Sequence, residues 1–221
     1  MEIINFAEVS EQLHTVNDYV RFGASQFNQA ELHFGHGTNN AWHEALTLVM
    51  HQLALPQELA TEVMHCRLVL QERVAILQLF ERRITEGLPA AYITNQAMFC
   101  GLPFYVDERV LVPRSPIGEL IDNEFSGLIY DEPKRILDLC TGSGCIAIAC
   151  ARKFPEAEID AVDLSLDALE VAQINIEGHG LLAQVIPIQS DVFSGVVGQS
   201  YDLIVTNPPY VDQEDVDALP Q

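Results

Sequence analysis

From residue 133 to its end the chain alternates short apolar runs with helix-length amphipathic segments. That alternation restricts it to an α/β fold with a parallel, doubly wound sheet. Arg135 to Cys140 (RILDLC) reads as a strand and Gly144 to Lys153 as the helix that follows it. Ile159 to Asp163 and Leu166 to Gly178 repeat the pair, Val185 to Gln189 adds a third strand, and Asp202 to Thr206 a fourth. Runs of this kind belong to strands covered on both faces. The fourth stops at Asn207-Pro208-Pro209-Tyr210, where two prolines forbid further ladder pairing. Ligands of such sheets bind outside the carboxyl ends of the strands, so this tetrapeptide falls where chemistry is done.

The tetrapeptide has a chemistry of its own. Pro208 biases Asn207 toward extended geometry and so narrows the directions its side chain can take. The fixed φ angles of Pro208 and Pro209 aim the backbone carbonyl as well. Two oxygens result, the Asn207 side-chain carbonyl and the Pro208 backbone carbonyl, and two acceptors at one spacing suit a planar NH2 group with two donors. Tyr210 can lay its ring against such a group. An amide nitrogen is a poor nucleophile because its lone pair is delocalised. Two carbonyls that accept its N–H bonds favour the positive charge that grows on nitrogen as it attacks. The tetrapeptide therefore reads as an alkylation site for a planar NH2.

The electrophile is sought in the turn Asp138-Leu139-Cys140-Thr141-Gly142-Ser143-Gly144. Glycines there let backbone approach a ligand and open a helix N-terminus toward it. A carboxylate at Asp138 would repel a pyrophosphate but can pair with the ammonium of an amino-acid moiety. Asp163 ends the second strand, where an acid takes ribose hydroxyls. Asp191 follows the third strand and can accept from an adenine amino group. Three acids at the ends of three successive strands fit a ligand with ribose, adenine and an ammonium but no phosphate. S-adenosyl-L-methionine is such a ligand.

Upstream, residues 1–87 read as a small all-helical domain. Phe6, Val9, Leu13, Val16, Val20 and Phe27 recur at helical spacing, with Ser10 or Asn5 as caps. Trp42 to Leu55 and Leu68 to Glu86 form further helices, the last closed by Gly87. His33, His36, His43 and His51 have no cysteine or carboxylate at ligand spacing and read as packing or surface residues, so no metal is expected. Residues 88–116 carry Pro, Gly and β-formers and read as a linker. It holds a β-hairpin of Met98 to Cys100 and Phe104 to Val106, then the loop Val110 to Pro116 with its isolated Arg114. Ile117 to Tyr130 reads as an amphipathic helix that opens the domain 117–221.

Charge narrows the partners. The chain has 11 Lys and Arg against 32 Asp and Glu, a formal net charge of −21, and no Lys or Arg follows Lys153. Such a surface repels a phosphate backbone and attracts a basic protein. The acidic N-terminus lacks the apolar core of a signal peptide, and no apolar run reaches the roughly 18 residues of a membrane span. Five cysteines without a C-x-x-C pair suit free thiols in a reducing cytoplasm.

With these residues in view, the chain resembles the protein-glutamine N-methyltransferases that modify release factors and ribosomal proteins. DLCTGSGCIAIA (Asp138 to Ala149) is similar to the family's cofactor loop, NPPY (Asn207 to Tyr210) to its glutamine clamp, and FYVDERVLVPR (Phe104 to Arg114) to its interdomain hairpin and loop. Ser115-Pro116-Ile117-Gly118-Glu119 stands where release-factor enzymes carry an acidic Pro-Glu-Thr-Glu type run. GHGTNNAWHEA (Gly35 to Ala45) resembles the branch acting on large-subunit ribosomal protein three. The resemblance implies a Rossmann-like class I methyltransferase domain and methylation of a glutamine side-chain amide. It implies a cofactor set of Asp138, Cys140, Thr141, Gly142, Ser143, Gly144, Asp163, Leu164, Asp191, Val192 and Asn207, with Phe104 and Arg114 toward the substrate. The expected partner is a basic ribosomal protein, free rather than assembled, with no nucleic acid and no membrane bound. The chain stops after its fourth strand, and family members supply about three more, so the domain is expected to be truncated. Four other readings stay open: a release-factor enzyme, a base amino methyltransferase acting on a flipped nucleotide, a binding module without turnover, and a nicotinamide-dependent oxidoreductase, for which Asp138 is badly placed against a pyrophosphate.

Overall fold

The protein is described by a computed structural model covering residues 6–35 and 37–208. Asn5, His36, Pro209 and Tyr210 lie outside the described residues. The chain divides into two compact units, Met1–Gln96 and Ala97–Gln221.

The first unit holds α1 (Phe6–Gln12), α2 (Val16–Gln29), α3 (Ala41–Gln52), α4 (Ala60–Val63), α5 (Leu70–Thr85) and α6 (Ala90–Thr94). Ser10 is no cap: it is buried inside α1. The cap that divides the first two helices is Thr15, whose hydroxyl accepts from Asp18 N at 3.2 Å while the Asp18 carboxylate accepts from Thr15 N at 2.8 Å. This reciprocal box satisfies two orphan donors at once. It also holds the Asp18 carboxyl below its ordinary pKa. Tyr19, Val20, Phe27, Leu48, Ile76, Leu77 and Phe80 form the core, with the Phe27 and Phe80 rings edge to face at 5.3 Å. Gly23 lies under that ring: a Cβ there would sit 2.6 Å from Phe80.

Inside this core lies an ion pair. Arg83 Nε donates to Glu44 Oε1 at 2.9 Å, and the two side chains are 3% and 2% exposed. Ala90 N donates to the same oxygen at 3.0 Å, while the guanidinium also donates to His33 O and Gly87 O at 3.0 and 3.2 Å. One carboxylate and one guanidinium thus satisfy the backbone at both ends of a turn. The sequence reading closes the helical region at Gly87, which has a left-handed φ of +70°. The unit runs on to Gln96 because α6 buries Ala90, Ala91 and Ile93.

The second unit begins with β1 (Ala97–Phe99) and β2 (Leu102–Phe104), antiparallel, with Phe99 opposite Leu102. The loop is therefore Cys100-Gly101 alone, with φ of +47° and +72°. Both signs are those of a primed two-residue turn, which matches the twist of the strands. The expected second strand, Phe104 to Val106, starts two residues too late, since Pro103 is tolerated opposite Met98 on this exposed pair. Of the stretch read as a linker, residues 88–96 fall in the first unit and 97–116 in the second. The expected helix to Tyr130 is also shorter: α7 (Ile117–Asp122) ends where Glu124 and Phe125 turn left-handed. That turn drops the buried Phe125 ring against Phe154 at 6.4 Å.

Then follow β3 (Arg135–Leu139), α8 (Cys145–Lys153), β4 (Glu158–Asp163), α9 (Leu166–Gly178), β5 (Val185–Gln189) and β6 (Leu203–Thr206). The sheet order is β5-β4-β3-β6 and every pair is parallel. The chain winds outward from β3 to β5, then returns to the other side of β3. The reversal between β3 and β6 is a topological switch point, where the strand ends open a crevice. Small side chains at Ala147, Ala149 and Ala151 let α8 settle almost wholly buried on the sheet.

Candidate functional site

At that switch point lies a cavity of about 420 Å³, within the range that holds small ligands. Its floor is the turn after β3, where Cys140, Gly142 and Gly144 take φ of +63°, +53° and +78°. Thr141 N donates to Val162 O at 2.9 Å, so the turn stays registered on β4. Gly142 N donates to Asp163 Oδ2 at 2.9 Å and Ser165 N to Asp163 Oδ1 at 3.0 Å, so one carboxylate ties the first two loops together. Asp163 and Asp191 both line the cavity.

Asp138 lies beneath the turn and not in it. It stands within β3, is fully buried and does not line the cavity. Its Oδ2 accepts from Thr141 Oγ1 at 2.6 Å and from Ala147 N at 3.0 Å. Ala147 is the third residue of α8, whose N-cap, Gly144, has no side chain. Asp138 therefore supplies the missing cap from the neighbouring strand. Burial pushes its carboxyl up to about 7. Its Oδ1 finds no partner among the described residues. An acceptor left unsatisfied beneath a glycine turn suits the approach of a cationic group.

Gly144 itself is held by sterics. A Cβ there would lie 3.3 Å from the Ala172 Cβ, and its φ is one that L side chains rarely adopt. Gly144→Ala should cost about 1–2 kcal/mol of stability in a thermal melt. Gly142→Ala, with open space around its Cβ, should cost less and act on ligand affinity instead. Equal melting temperatures for the two variants would count against this division of labour.

Of the expected residues, the cavity brings together Cys140, Thr141, Gly142, Ser143, Asp163, Leu164, Asp191, Val192, Asn207 and Arg114. Asn207 follows β6 directly, and Thr206 Oγ1 donates to Leu139 O at 2.8 Å, which fixes the end of β6 against β3. Val192 holds a left-handed φ of +50°. Ser190 shapes that loop, accepting from Gly195 N at 2.7 Å and donating to Val192 O at 2.9 Å. Gly144 lies behind the wall and Pro208 is exposed. Phe104 is not toward a substrate. Strand alternation turns it into the core, 1% exposed, with its ring 5.1 Å from that of His179. Burial raises the Cys140 and Cys145 thiols, the latter to about 12, so neither is a nucleophile near neutral pH.

The loop around Arg114, expected toward the substrate, is part of a longer stretch of the lining, Arg109 to Ser115, of which the sequence reading missed Arg109. Arg109 is anchored by Asp107 at 2.6 Å and by Glu170 of α9 at 2.9 Å. The same guanidinium, by hydrogen bonding, holds the Asp107 carboxyl down at about 2. Asn175 was missed as well. A polar residue on the apolar face of α9, three and four positions after Ala172 and Val171, was the available signal.

The residues fit S-adenosylmethionine: an open glycine turn, acids at the ends of β4 and β5, and an orphan buried acceptor under the turn. Among the described residues no helix is long and apolar enough to cross a membrane. The family model described as methyltransferase small domain matches residues 125–219. A protein of Neisseria gonorrhoeae named ribosomal protein uL3 glutamine methyltransferase is 51% identical over 218 residues, covering 98% of this chain and 73% of that one. A protein of the same name from Neisseria meningitidis serogroup A is 50% identical over 220 residues, with coverage of 99% and 72%. A solved methyltransferase from Thiobacillus denitrificans in complex with S-adenosylhomocysteine is 27% identical, a partial likeness covering 45% of this chain and 39% of that one at a TM-score of 0.36. On the near full-length identity to its two Neisseria relatives, the chain belongs to the ribosomal protein uL3 glutamine methyltransferase family.

Proposed function

We propose that this enzyme methylates the side-chain amide nitrogen of a glutamine in ribosomal protein uL3, acting in the cytoplasm on the free protein. The reading rests above all on Asn207, which lines the cavity at the switch point of a chain so similar to proteins of that name. S-adenosylmethionine, when bound, supplies an electrophilic methyl group. Asp163 accepts from the ribose hydroxyls and Asp191 from the adenine amino group, with Leu164 and Val192 as the apolar walls beside them. The Asn207 carboxamide oxygen and the Pro208 carbonyl accept the two N–H bonds of the glutamine amide. They favour the charge that develops on nitrogen without a strong base. Pro209 and Tyr210, which complete the Asn-Pro-Pro-Tyr sequence, lie outside the described residues.

Arg114 and its loop stand on the substrate side. The helical unit selects the protein, and we set its limit at Gln96 in place of residue 87. The net charge of −21 favours a basic ribosomal protein and disfavours RNA already bound to it. Transfer of labelled methyl to free uL3 and to assembled large subunits, with the modified residue located by peptide mass spectrometry, tests both parts. Label on a glutamine of free uL3 is expected. Label on RNA or on no glutamine would overturn the activity, and faster labelling of subunits would overturn the free-protein substrate.

A further inference from the structure

Asn175 lies on α9, 4% exposed, among Leu169, Val171, Ala172 and Ile176. Its carboxamide makes three hydrogen bonds, with both N–H donors in use. Oδ1 accepts from Tyr105 N at 2.7 Å, and Nδ2 donates to Tyr105 O at 3.0 Å and to Ser143 O at 2.8 Å. The reverse orientation would set its oxygen against two carbonyls, so the pattern admits one arrangement only.

One partner, Ser143, lines the cavity, and the other, Tyr105, leads into a second stretch of its lining. Ser143 lies in the turn after β3, between Gly142 and the N-cap of α8. Tyr105 follows β2 and leads into the stretch from Arg109 to Ser115. Arg109 ties that same stretch to α9 a second time, through Glu170 on the exposed side of the helix. Tyr105 itself does not line the cavity.

We infer that Asn175 is a positioning residue that couples the two stretches, so that the turn on the cofactor side, once ordered by ligand, orders the substrate-side segment through one buried side chain. This rests on the function proposed above. A leucine would satisfy the apolar surroundings equally well but take their partner from three backbone groups, the N–H and C=O of Tyr105 and the C=O of Ser143. An aspartate keeps the shape but sets a charge against two carbonyls. Only a carboxamide of this length serves both stretches.

Hydrogen exchange on the wild-type chain, with and without saturating S-adenosylhomocysteine, reads the coupling without any mutation. Ligand should protect the cavity turn directly and should also slow exchange at residues 103–107, which the ligand does not reach. In Asn175→Ser, the ligand affinity should stay within about threefold, the protection at 103–107 should vanish, and KM for free uL3 should rise about tenfold. Those losses correspond to one or two hydrogen bonds. A purely structural side chain would lower the melting temperature and leave the transmitted protection intact in the molecules still folded. Ligand binding to wild type without protection at 103–107 overturns this inference alone. Absence of any ligand binding overturns it together with the proposed function.

Discussion

Replacing Asn207 by alanine should lower methyl transfer by about 10²–10³-fold, the usual cost of removing one preorganised polar group from a transition state. S-adenosylmethionine affinity should change by less than about tenfold, or roughly 1.4 kcal/mol. The two effects separate because the Asn207 backbone, held at the end of β6 by the Thr206 tie to Leu139, stays in place while the side-chain oxygen is lost. The nitrogen of an amide needs that acceptor most when its lone pair leaves conjugation, so the loss should appear in kcat more than in KM. Single-turnover transfer beside calorimetric titration makes the comparison. Wild-type turnover in Asn207→Ala would remove the clamp from the mechanism, and loss of cofactor binding on the same scale would make the residue a cofactor ligand.

The largest loss of stability is expected from Glu44→Ala. It leaves the Arg83 guanidinium buried beside an apolar core and strands the amide of Ala90. Breaking a buried pair from one side costs about 3–5 kcal/mol, a large part of the roughly 5–15 kcal/mol that holds a domain together. Urea unfolding followed by circular dichroism should show the helical unit melting early. The pair itself is less valuable than its breakage suggests. Arg83→Met combined with Glu44→Leu should recover part of the loss, because no uncompensated charge remains. Gly87 O, His33 O and Ala90 N would still lack partners, so recovery is incomplete. A single variant within 1 kcal/mol of wild type would mean that water reaches the pair.

How far the sequence carried depended on the range of each interaction. The strands of the parallel sheet and the helix from Leu166 to Gly178 were legible because apolar runs and their period are local. The glycine turn and Asn207 at the end of β6 were legible because flexible residues, and a strand end marked by proline, stand out in any neighbourhood. Asp138 was visible as an acid, but its work is a bond to Ala147 nine positions on, decided by how α8 sits on β3. Phe104 was visible as an aromatic, yet one residue of hairpin register decides whether such a ring faces core or solvent. Glu44 and Arg83 lie 39 positions apart, and Asn175 and Tyr105 lie 70. Nothing local marks either pair except a polar residue on an apolar face.

The left-handed backbone at Cys140 and Val192 has an evolutionary corollary. Positive φ is uncommon for a cysteine and a genuine outlier for a β-branched valine, and such strain costs of order 1–3 kcal/mol wherever it persists. Both residues lie in the cavity wall. Laboratory selection for heat tolerance alone would thus drift toward glycine at these two positions. The survivors would be tougher and would hold the wall less firmly, so a thermostable lineage of this enzyme has to find its gains in the helical unit or on the surface and leave positions 140 and 192 alone.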